Sequence, residues 1–263
     1  MDSVTTTIAI SAATSFTTAL ATKGADGPAN TLNLLWQATL GRWDNKLQAY
    51  IDRRNANFQK FANDITEEVK KIPDDKIKDE PDVSIIGPAL EASKYYIEQD
   101  IPRKMFARLI AASMDKRKDK IVHHSFVDII KQMSPIDAKM FMEFENPTIL
   151  FNCLIKRSDT PEQSEFIGDI YLSDSFSEDI SFNSIAVNNL ERLGLIYIPT
   201  RNLGSIRMNA QDENYINKFK ETSLYKQILA DINNPASPRE SIEIITYMAY
   251  LTRLSFAFRD VCL

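Results

Sequence analysis

His123 and His124 are the only histidines in the chain, so any imidazole chemistry, whether proton transfer or metal binding, has to use this adjacent pair. Neighbouring side chains project in different directions from a helix or a strand, which makes a shared metal site hard to build. We expect instead a histidine beside a helix start, making a capping or backbone hydrogen bond. The only cysteines, Cys153 and Cys262, lie far apart and lack the ligand spacing of a zinc site. Cys153 sits inside the apolar run Thr148–Ile155 (TILFNCLI), where a thiol is inert packing rather than a nucleophile. Both are expected as buried thiols in a reducing cytoplasm. The sequence has no G-x-S-x-G elbow, no phosphate-cradling P-loop and no G-x-G-x-x-G dinucleotide turn, so the expectation is a non-enzymatic protein without cofactor or metal.

Charged side chains offer contact chemistry instead. Glu91, Glu98 and Asp115 stand at helical spacing from Lys94, Arg103 and Arg108, which suits ordinary ion pairs. The densest positive run is Lys116-Arg117-Lys118-Asp119-Lys120, read as a soluble loop that could touch an anionic surface. Glu91, Lys94, Arg103, Arg108, Asp115, Lys116 and Arg117 are therefore the candidate interaction residues. The 263-residue chain carries a formal net charge of −5, so no global field draws it to nucleic acid or an acidic bilayer.

These residues must be positioned by helices through the first half of the chain. Residues 45–72 carry one apolar stripe, Leu47, Ile51, Phe58, Phe61, Ile65, Val69 and Ile72, which predicts a long amphipathic helix ended by Pro73. A shorter helix, Thr31–Leu40, precedes it, with Gly41 as the break. The charged connector Asp74–Pro81 reads as a subdomain seam. Beyond it, Pro88 suits a first helical position, and Ala89, Ala92 and Ser93 give a small-residue face. A second helix is expected from about Pro102, with Met105, Phe106, Leu109 and Ile110 inward and Arg103, Lys104 and Arg108 in water. A third is entered through Ser125, and Ser134-Pro135-Ile136-Asp137 forms a capping-box pattern for a fourth.

The texture changes after Asn146-Pro147. Thr148–Ile155 reads as a strand, Ile180–Leu193 as a helix capped by Gly194, and Leu195–Ile198 as a strand whose antiparallel partner is Ile242–Leu251. An insertion at about 201–239, with a helix around Tyr215–Ile232, separates those two strands, and a short helix ends the chain. The fold class is thus mainly α: a helical amino-terminal part (31–145), then a winged-helix-like α+β part (146–263) with a small antiparallel sheet. A winged helix raises the question of DNA. The helix offers only Ser184, Asn188, Asn189 and Arg192 as polar contacts, and Arg201 and Arg207 for a wing, against Asp174, Glu178, Asp179 and Glu191. Nucleic acid is therefore not the favoured partner, and a winged-helix DNA-binding regulator stands as an alternative function.

Residues 1–30 read as a weakly apolar tail, too rich in threonine and serine for a spanning helix. An alternative function is a membrane-perturbing effector that exposes residues 1–40 on activation.

The run Gly87-Pro88-Ala89-Leu90-Glu91-Ala92, with Lys94-Tyr95-Tyr96-Ile97-Glu98, Met105-Phe106-Ala107-Arg108-Leu109 and Ala112-Ser113-Met114-Asp115-Lys116, resembles the central motif of the Abi-alpha family of bacterial proteins. His124-Ser125-Phe126 and Ile129–Ala138 continue the resemblance, which spans 86–138 most strongly. It implies a bacterial role in abortive infection, limiting phage propagation as a sensor or effector that contacts a phage or host protein. It carries over no catalytic residue.

Overall fold

The computed structural model describes residues 14–40, 48–159, 165–173, 175–176, 180–199 and 210–263. Packing divides the chain into two compact units, one of residues 1–138 with 256–263, the other of residues 139–255. The division therefore falls inside two helices, at 138/139 and 255/256, rather than in the Asp74–Pro81 connector or at residue 146.

The first unit is helical. Helix α1 (14–21) lies within what reads as a tail, and buries Phe16 and Leu20 completely. A turn at Gly24, whose φ of +70° suits glycine, leads into α2 (Asp26–Thr39). α2 starts five residues before the expected Thr31, because Pro28 fits its first turn and Ala29 joins the apolar face. Trp36 is the hub: its ring lies 5.1 Å from Phe16, 6.4 Å from Phe58 and 5.7 Å from Phe61. The last two belong to α3 (Gln48–Lys70), where Phe58, Phe61, Ile65 and Val69 form the predicted stripe. Gly41, Leu47 and the side chain of Ile51 lie outside the described residues. Phe16, Leu20, Leu32, Trp36 and Leu40 are thus core while Leu34 stays exposed, and among the described residues no helix is long and apolar enough to cross a membrane.

Pro73 ends α3 as expected, but the connector is no seam. Ile77 is buried and forms an antiparallel bridge with Asp115, and Lys78 N–H donates to Met114 O at 2.8 Å, so both flanks belong to one unit. Helix α4 (Val83–Ser93) starts earlier than the Pro88 reading, because the Asp82 side chain accepts the Ser84 N–H as an N-cap. Pro88 then sits inside the helix, where its ring forgoes one backbone hydrogen bond. The small-residue face is used internally: Ala89, Ala92 and Ser93 are buried where α4 meets α5 (Asp100–Ser113) and α6 (Ser125–Gln132). Helix α7 (Pro135–Glu143) opens with the predicted box, Ser134 N–H donating to Asp137 Oδ2 at 2.7 Å and Asp137 N–H to Ser134 Oγ at 3.1 Å.

In the second unit an antiparallel sheet of order β2-β1-β4-β3 is built from β1 (Thr148–Arg157), β2 (Glu165–Ile170), β3 (Ile196–Tyr197) and β4 (Arg239–Leu251). β3 and β4 pair as expected, Ile196 opposite Leu251 and Tyr197 opposite Tyr250. β2 is an addition that the sequence reading leaves out. Helix α8 (Ile180–Arg192) leads into β3 through Gly194, at φ +71°, with Leu195 N–H donating back to Leu190 O at 3.0 Å. The insertion holds two helices rather than one, α9 (Ala210–Glu221) and α10 (Ser223–Ile232), because Thr222 stops the first and caps the second. They cover one sheet face: Phe219 stacks on Phe151 at 5.8 Å, beside Cys153, Ile170 and Leu172. Helix α11 (Arg253–Cys262) closes the chain; its residues from Phe256 onward belong to the first unit.

Candidate functional site: a groove between α4 and α6

Ion pairing disposes of most of the charged candidates. Arg103, expected in water, is 4% exposed; its Nε donates to Asp64 at 2.8 Å and its Nη1 to Asp100 at 2.6 Å. This is a correction to the helical-wheel reading, and its cause is a carboxylate on α3 that local sequence does not reveal. Arg108 is half-buried and pairs with Glu68 of α3 at 3.3 Å, so two ion pairs stitch α3 to α5. Asp115 is buried and takes both Arg117 Nε and Nη2, with Arg117 N–H at 2.9 Å. Burial pushes the Asp115 carboxyl up, but the Arg117 side chain and backbone donors and the nearby Lys118 charge outweigh this and leave it below the usual carboxylate range. Three of the four bases of the run are answered: Lys116 meets Asp79, Arg117 meets Asp115, and Lys118 meets Asp260 at 2.6 Å. A 230 Å³ pocket beside them gathers Lys71, Arg108, Arg117 and Lys118 with Glu68, Asp115 and Asp260, so its cations already have counter-charges.

The histidines and cysteines fall where the chemistry assigns them. His123 Nδ1 accepts the Ser125 backbone N–H at 3.1 Å and lies 2.8 Å from Ser125 Oγ, a capping contact at the start of α6. The two imidazole rings lie 6.4 Å apart at 71° to one another. Among the described residues no group of three histidine, cysteine or acidic side chains is placed to hold a metal. Burial pushes the Cys153 thiol up to about 12 and the Cys262 thiol well above its ordinary value, so neither supplies thiolate near neutrality.

On α8 the polar side chains proposed for DNA are engaged within the unit. Ser184 Oγ donates to Gly168 O at 2.6 Å, and Asn188 donates to Asp169 Oδ2 at 3.0 Å and Ser184 O at 2.8 Å. Asn189 Oδ1 accepts from Arg192 Nε and Nη2. Arg201 and Arg207 lie outside the described residues. The centre of this network, which sequence reasoning missed, is Asp169: buried, at φ +57°, accepting the Tyr247 hydroxyl at 2.5 Å and donating its N–H to Asn152 Oδ1. Its only sequence signal is Gly168-Asp169 closing a short strand, aspartate being tolerant of the left-handed region. Residues 139–255 hold 11 lysines and arginines against 16 aspartates and glutamates, so the whole net charge of −5 resides in this unit and opposes phosphate binding.

A 470 Å³ groove in the first unit stands open to a partner. α4 supplies Ser84, Pro88, Glu91 and Ala92, Tyr95 follows α4, and His124, Val127, Asp128 and Lys131 come from the start and body of α6. Ala92 and Val127 are buried and form its floor, whereas Tyr95 keeps 70% of its surface exposed. The Tyr96 hydroxyl donates to Lys131 O at 2.5 Å and ties the end of α6 to the turn after α4. Glu91 is held by Lys94, whose side chain is only 9% exposed, and Asp128 by Lys131. Of the sequence candidates, Glu91 lines this groove and Lys94 supports it. Tyr95, Pro88 and His124 lie in the quoted motif, but their convergence needs the packing of α4 on α6.

The chain is thus a two-unit, mainly helical protein with an exposed groove of mixed character in its first unit. The model of the abortive infection alpha family matches residues 53–262, most of the chain, and the chain belongs to that family. No curated protein and no solved structure matches it.

Proposed function

We propose that this chain is a cytoplasmic phage-defence protein that acts by macromolecular contact rather than by catalysis, and that the α4–α6 groove is where it meets a phage or host protein. Family membership supports the defence role. The observation that carries the contact surface is the convergence of Pro88, Glu91, Tyr95 and His124, all within the family motif, on one exposed groove. Core packing does not require a tyrosine at 70% exposure, and aromatic side chains of this kind anchor protein interfaces. A membrane-entering role for residues 1–40 has less support, since Phe16, Leu20, Leu32 and Trp36 are buried in the core. The winged-helix-like unit, with its net acidic charge, serves in this reading as a scaffold or protein-binding module rather than a DNA reader.

The test is growth of cultures with and without the protein after challenge by several unrelated phages. Protection at low multiplicity with collapse of the culture at high multiplicity is expected of abortive infection. Absence of protection across the panel overturns the defence reading.

A further inference from the structure

Resting on that reading of the groove as a protein-contact site, we infer that it receives an arginine side chain from a peptide segment of the partner. The groove combines three features that suit a guanidinium on an aliphatic stem. Its floor, Ala92 and Val127 with Pro88 beside them, is apolar and suits the three methylenes of the stem. Tyr95 adds an exposed aromatic ring, a surface on which a guanidinium stacks better than an ammonium. Carboxylates are supplied by both helices, Glu91 from α4 and Asp128 from α6.

Both carboxylates are satisfied in the free protein by lysines three residues further on, in pairs whose acidic partners are 55% and 62% exposed. Pairs whose carboxylate faces water contribute little and exchange readily for a planar bidentate donor. Lys94 is largely buried and stays beneath Glu91, whereas Lys131, 46% exposed, can swing into solvent and release Asp128. The backbone under this exchange is fixed by Tyr96 on Lys131 O and by the His123 cap of α6. An acidic segment or a phosphate backbone would find Lys94 largely buried and both lysines already paired with Glu91 and Asp128.

The experiment is a titration of the full-length ¹⁵N-labelled protein with acetyl-Ala-Arg-Ala-amide, and with the same peptide carrying citrulline, which keeps the shape but loses the charge. Amide shifts confined to Ala92, Tyr95, Val127 and their neighbours are expected for the arginine peptide. The citrulline peptide should bind at least about tenfold more weakly, and the Glu91→Gln, Asp128→Asn protein should lose the preference while keeping a native spectrum. Equal response to the two peptides, or shifts placed elsewhere, overturns the arginine assignment. Loss of phage protection in Tyr95→Ala alongside that result would leave the groove as the contact site for a partner of other chemistry. Full protection in Tyr95→Ala would remove the groove itself.

Discussion

Arg103 and Tyr95 show opposite uses of a side chain at the residue scale. The guanidinium of Arg103 is 5% exposed by side chain and satisfied by Asp64 and Asp100, the former on another helix. Arg103→Ala leaves a partly buried carboxylate without its cation. The expected loss is about 3 kcal/mol of unfolding free energy, at the low end for a broken buried pair because Asp64 keeps 22% exposure. Urea unfolding measures it, and a loss within about 0.5 kcal/mol would show the pair to be incidental. Tyr95, in contrast, buries little and is predicted to tolerate substitution without loss of stability. Of the ion pairs expected from helical spacing, Glu91 with Lys94 is present, whereas Arg108 and Asp115 pair elsewhere. Asp64 for Arg103, Glu68 for Arg108 and Asp260 for Lys118 were hidden, because they lie 39, 40 and 142 residues away, on elements whose packing no local pattern specifies.

Local signals carried the elements wherever the hydrogen bonds were local. The Ser134–Asp137 box and the Gly194 cap are three- and four-residue patterns, and both are present. Ser134→Ala is expected to cost about 1 kcal/mol, and the loss should not add to that of Asp137→Ala, since each side chain caps the other's backbone. Thermal unfolding of the two single variants and the double variant tests this; full additivity would mean that the pair does not act as a unit. Pro88 misled because proline at a helix start is the commoner case, while the true start was set by Asp82 two residues before a serine N–H. β2 was missed for a different reason. Gly168 and the acids Glu165 and Asp169 dilute its alternation, and the strand exists because β1 offers it a ladder.

On the scale of the whole molecule, order along the chain is a poor guide to which residues share a core. Residues 256–263 follow the entire second unit in sequence yet belong to the first, where Phe258 is fully buried and packs edge-on to Phe126 at 5.3 Å. Phe258→Ala is therefore expected to destabilise the first unit by about 3–5 kcal/mol, seen as faster amide exchange in α5 and α6. Unchanged protection there would show the segment to be dispensable. The mainly helical class and the strand partnership of β3 with β4 were legible from periodicity, and the family from the motif of residues 86–138. The groove was not, because it exists only once α4 lies against α6. The most direct test of the account is phage challenge of cells expressing Tyr95→Ala, Glu91→Lys protein at wild-type levels, with a native circular dichroism spectrum confirmed. Loss of protection in a folded variant is the predicted result; protection equal to wild type would contradict the groove as the working surface of the protein.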